Sequence, residues 1–95
     1  MTDLPVNSHG VPQYPKGHAG RLLVTLAAID QLDHPTSQTV ADLTGLSKGN
    51  IDRYVATLNA EFGTQIVKNG PVFHIESWGE VLKKTGVKKT LSSSV

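Results

Sequence analysis

Residues 39–63 read TVADLTGLSKGNIDRYVATLNAEFG, and the spacing of Ala41, Gly45 and Ile51 within them decides the fold. Ala41 is small, as a point of contact between two helices requires. Gly45 is the residue best able to take the left-handed backbone angles that end a helix. Ile51 supplies a branched apolar side chain for the inner face of the next helix. Ser47 stands just ahead of that helix, where its hydroxyl can accept from free amides. The pattern predicts a short helix from Ser37 to about Thr44, with Val40, Ala41 and Leu43 buried. A tight turn follows, then a longer helix from Ser47 to about Glu61. On that helix Ile51, Tyr54, Val55, Leu58 and Phe62 recur at helical intervals and make one apolar face. Gly63 suits its end.

Upstream, Leu22, Leu23, Leu26, Ile29 and Leu32 recur every three or four residues and predict a helix from Gly20 to Leu32. Arg21, Thr25, Asp30 and Gln31 fall on its other side. It must stop before Pro35, because the residue preceding a proline is steered away from helical angles. Either Thr36 or Ser37 then caps the next helix. Downstream the period drops towards two. Residues 64–68 and 72–75, rich in β-branched and aromatic side chains, flank Asn69 and Gly70, which is a hairpin signal. Pro71 cannot donate the closing bond of a turn centred on Asn69 and Gly70, so the tip is expected to be loose. A last short helix is expected from Trp78 to Lys84, with Trp78 packing the hairpin against the first helix. Pro5, Pro12, Pro15, Gly10 and Gly17 make residues 1–17 a flexible arm, 18–85 a single domain, and 86–95 a basic flexible tail.

Helix, helix, tight turn, helix, hairpin is the order of a winged helix-turn-helix: mainly α with a small β-hairpin, a three-helix core plus a wing. The stretch 39–63 also resembles the winged DNA-binding domains of the IclR and MarR regulator superfamily, above all in GLSKGNIDRYVATL. There the likeness lies in a Gly-Leu-small-Lys start and an Arg-apolar-apolar-x-x-Leu continuation. It covers more than half of the chain when 21–75 is taken as the winged domain. The resemblance implies a recognition helix in the major groove and a wing beside the DNA backbone. Nothing in the chain resembles the effector domain of IclR proteins or the long dimerisation helices of MarR proteins, and no small-molecule effector is expected.

With its apolar face turned inward, the third helix presents Lys48, Gly49, Asn50, Arg53 and Thr57 outward, with Ser47 at its start. Arg and Lys donate to guanine, Asn pairs with adenine, and Thr meets a thymine methyl or a phosphate. Gly49 allows close approach. Ser37 and Gln38, with the first amides of the second helix, are candidates for a backbone phosphate, and Lys68 and Asn69 for a contact from the wing. Asp52 is expected at the edge, paired with Arg53 or Lys48 or repelling phosphate. The plainer readings are solvated helix charges for Lys48 and Arg53, local backbone bonding for Asn50, and an ordinary turn lysine for Lys68.

The totals bound the function. Net charge is +1, but residues 78–95 carry +3 through Lys83, Lys84, Lys88 and Lys89 against Glu80, leaving −2 for the rest. DNA affinity would therefore rest on a few placed charges and not on a broad basic field. There is no cysteine, no apolar run of spanning length and no secretory start, so a cytoplasmic protein without disulfides or membrane contact is expected. His9, His18, His34 and His74 show no metal-ligand spacing, and no phosphate loop or nucleophile–base set can be assembled. No enzyme activity, metal or cofactor is expected. The expected partner is double-stranded DNA, read as a homodimer by a small transcriptional regulator. The alternatives are an accessory DNA-binding protein of a phage or plasmid, in replication, partition or excision, and a winged-helix protein-interaction module.

Overall fold

Three helices and an antiparallel hairpin follow one another along the chain: α1 (Gly20–Gln31), α2 (Ser37–Thr44), α3 (Lys48–Glu61), β1 (Gln65–Asn69) and β2 (Val72–Ser77). The computed structural model describes residues 5–15 and 17–79. The expected helix from Trp78 to Lys84 and the tail 86–95 lie largely or wholly outside the described residues. Trp78 itself packs half-buried against the core.

Each helix begins and ends for a local reason. Thr36 caps α2: its side chain accepts from the Thr39 amide, and the Thr39 hydroxyl accepts from the Thr36 amide at 2.7 Å. Gly45 closes α2 in the left-handed region, φ +79. Ser47 caps α3 by accepting from the Asn50 amide. One cluster of Val11, Val24, Leu26, Ala28, Ile29, Val40, Ile51, Val55, Leu58, Ile66 and Phe73 forms the core, and it draws on every element. α1 lies at its centre, packed on both other helices and on β2. That is why Thr25, expected on the outer side of α1, is fully buried. Its hydroxyl donates to the Arg21 carbonyl at 2.8 Å, so burial leaves no polar group unpaired.

Residues 5–15 are not a loose arm. Val6 bridges Pro12, and the Gln13 amide donates to the Pro5 carbonyl at 2.8 Å, so the segment folds back on itself. Val11 enters the core at 1% exposure. Asn7 Nδ2 donates to the Leu43 carbonyl at 2.8 Å, and Gln13 Nε2 to the Thr44 carbonyl at 2.9 Å. These two amides thus satisfy carbonyls that the end of α2 leaves without helical partners. Arg21 extends the link, donating to the Tyr14 carbonyl from Nε and to the Tyr54 hydroxyl from Nη1.

The hairpin turns one residue later than its sequence suggests. Asn69 pairs with Val72, so Gly70 and Pro71 are the two central residues. Gly70 has φ +59, and with the fixed negative φ of proline this is the pattern of a type II′ turn. Val72 supplies the amide opposite Asn69, and Pro71 sits where no donor is needed. The proline therefore fits a tight tip. Asn59 fastens the start of β1 to α3, with Ile66 bonded through both its amide and its carbonyl, each at 3.0 Å. Phe73 donates to the Pro35 carbonyl at 2.7 Å, which fastens β2 to the loop before α2.

Candidate nucleic-acid interface

The outer side of α3 follows from the inward direction of Ile51, Val55 and Leu58, which are buried. Lys48, Gly49 and Arg53 are exposed, while Asn50 and Thr57 are half-buried. Arg53 Nη2 donates to Asn50 Oδ1 at 2.7 Å. This bond orients both side chains along one face and leaves the second lone pair of that oxygen available. Thr57 donates its hydroxyl to the Arg53 carbonyl at 3.0 Å, so towards solvent it offers an acceptor and a methyl group.

Beside this face lies an open depression of about 310 Å³, lined by Thr36, Ser37, Gln38, Lys48, Lys68 and Pro71. The start of α2, the start of α3 and the hairpin each contribute a wall. At its edge Ser37, itself buried, donates from Oγ to Asp52 Oδ1 at 2.8 Å, and Lys68 Nζ lies 3.3 Å from the same oxygen. Strand parity explains the reach of Lys68. Ile66 pairs with Ile75 and Lys68 with Phe73, so all four share the face turned to the helices. Lys68 runs over the Phe73 ring, 5.0 Å from its centroid, before meeting Asp52.

The Asp52 carboxyl is held below the usual carboxylate range. The Ser37 hydroxyl is the first cause, followed by the hydrogen bond and charge of Lys68 and the more distant charge of Lys48, with partial burial opposing them. The expectation that Asp52 pairs with Arg53 or Lys48 is thus replaced: its direct partners are Ser37 and Lys68, and Arg53 is bonded to Asn50 instead.

The ten candidate residues fall into two adjoining groups and one outlier. Ser37, Gln38, Lys48 and Lys68 line the depression. Ser47, Gly49, Asn50, Arg53 and Thr57 continue from it along α3. Asn69 is exposed at the end of β1 and lines neither. Gln38 donates to Asp42 at 2.8 Å within α2. Sequence reasoning missed Thr36 and Pro71 as walls and Asp52 as the carboxylate holding Lys68. The alternation of Ile66 and Lys68 was the available signal, since it puts the lysine on the face towards the helices.

Among the described residues, no three of His, Asp and Glu gather as a metal ion would need, and no helix is long and apolar enough to cross a membrane. Comparison of the chain with protein-family models, curated proteins and solved structures gives no match.

Proposed function

We propose that the chain is a winged helix-turn-helix protein that binds double-stranded DNA, with α3 in the major groove and the hairpin as the wing beside the backbone. One observation carries this reading. The first turns of α3 expose Lys48, Gly49, Asp52 and Arg53 and adjoin a depression bearing Lys48, Lys68, Ser37 and Gln38. Base-reading groups and phosphate-binding groups are both needed for a specific complex, and here they adjoin. A protein-interaction scaffold needs exposed apolar anchors on that face, and Lys48, Gly49, Asn50, Arg53 and Thr57 supply none. The resemblance of residues 39–63 to the winged DNA-binding domains of the IclR and MarR regulator superfamily supports the same direction. The biological role that fits best is a small transcriptional regulator bound as a homodimer to a palindromic site, since one module reads only a short half-site.

The test is selection from a random pool of double-stranded DNA across a salt series, with Lys48→Ala and Arg53→Ala beside the wild type. The wild type is expected to enrich a defined sequence and to lose affinity steeply with salt. Arg53→Ala should cost about 1–3 kcal/mol on that sequence and relax its base preference, while Lys48→Ala weakens all DNA and flattens the salt slope by about 1. A wild type that enriches nothing and binds no better than either variant sinks the reading.

A further inference from the structure

We propose that Asp52 competes with DNA phosphate at this interface, occupying in the unbound protein the donors that a phosphodiester would use. The proposal deepens the DNA-binding reading and rests on it. The carboxylate is an anion already seated at the edge of the depression. It takes the Ser37 hydroxyl at 2.8 Å and the Lys68 ammonium at 3.3 Å on a single oxygen, with Lys48 on the adjoining wall. Those groups are also the hydroxyl and the cations that the depression offers to an incoming phosphate. The Lys68 ammonium, 3.3 Å from Asp52 and above the Phe73 ring, is committed to the carboxylate until a phosphate displaces it.

The pair is partly exposed, at 43% for the Lys68 side chain and 54% for Asp52, so it can exchange without disturbing the core. Binding then proceeds as a swap: the lysine moves from the carboxylate to the phosphate, and the carboxylate must tolerate the phosphate beside it. Affinity is held down by that exchange. The loss acts through Lys68 and not through net charge alone, which separates this role from general repulsion.

Fluorescence anisotropy on the selected duplex, across a salt series, tests the idea. Asp52→Asn should bind about fivefold more tightly at low salt. Asp52→Ser should match it, and Asp52→Glu, which keeps the charge, should stay within about twofold of the wild type. In a Lys68→Ala background the gain from Asp52→Asn should vanish. Unchanged or weaker binding by both neutral variants overturns the proposal, as does an equal gain with and without Lys68. Those outcomes leave the DNA reading standing, whereas a wild type with no DNA affinity at any salt removes both.

Discussion

At Gly45 the backbone runs at φ +79, and a Cβ built there would lie 2.7 Å from Gln13 Oε1. Two separate costs therefore attend any side chain: the left-handed conformation, worth about 1 kcal/mol or more for alanine, and displacement of a glutamine that caps α2. Gly45→Ala should lower stability by about 1–2 kcal/mol in urea unfolding. In a Gln13→Ala background the same change should cost less, because the contact has gone and only the backbone strain remains. Asp52 behaves differently because it is exposed. Its folded pKa is depressed, so its contribution to stability is present above the ordinary aspartate value of about 3.9 and is lost as pH falls through the lower folded value. Wild type and Asp52→Asn should differ by less than about 1 kcal/mol at neutral pH, and their urea midpoints should converge below that window. High salt should narrow the neutral-pH difference as well.

Among the elements, α2 depends most on its surroundings. Its eight residues are too few to hold a helix in water, where about 12–15 are marginal. Thr36 and Gly45 supply its ends, and Asn7 supplies more: one bond to the Leu43 carbonyl, and acceptance from the amides of His9 and Val11. Asn7→Ala should therefore cost about 1–2 kcal/mol, and thermal unfolding checks it. The same residue shows where sequence reading stops. The bounds of α2 and α3 were legible because Thr36, Gly45 and Ser47 act within three or four residues of their targets. The ordering of residues 5–15 was not, since Asn7 and Gln13 find carbonyls 36 and 31 positions away and nothing periodic announces them. The hairpin was visible in its composition, yet its turn slipped by one residue. Gly70 before Pro71 makes a tight turn as readily as Asn69 before Gly70, and the proline excludes the latter. Gly49, Asn50, Arg53 and Thr57 were legible as one outer face because helical period alone places them, whereas Lys48 falls on the flank of α3 that lines the depression. The grip of Ser37 and Lys68 on Asp52 was not, because it joins three elements.

On the scale of the whole molecule, the core is one cluster fed by all three helices, both strands and Val11. No part of the chain from Pro5 to Gly79 has a separate apolar centre among the described residues. The hairpin is tied to the loop before α2 through Phe73 and Pro35, and residues 7 and 13 grip the other end of the same helix. A helix fastened at both ends by opposite sides of a protein becomes a gauge of cooperativity. The amides of Val40 and Gly45 are bonded to the Thr36 and Ala41 carbonyls, and with both ends of α2 fastened they are expected to open only with the rest of the fold. Native-state hydrogen exchange at these two positions should report the same free energy as the Phe62 amide at the end of α3, and the same as global unfolding in urea. Faster exchange at Val40 and Gly45 alone would mean that α2 opens as a unit of its own. If the energies agree, the surface proposed to face DNA cannot loosen piecemeal: on that proposal, DNA would meet either the entire fold or none of it.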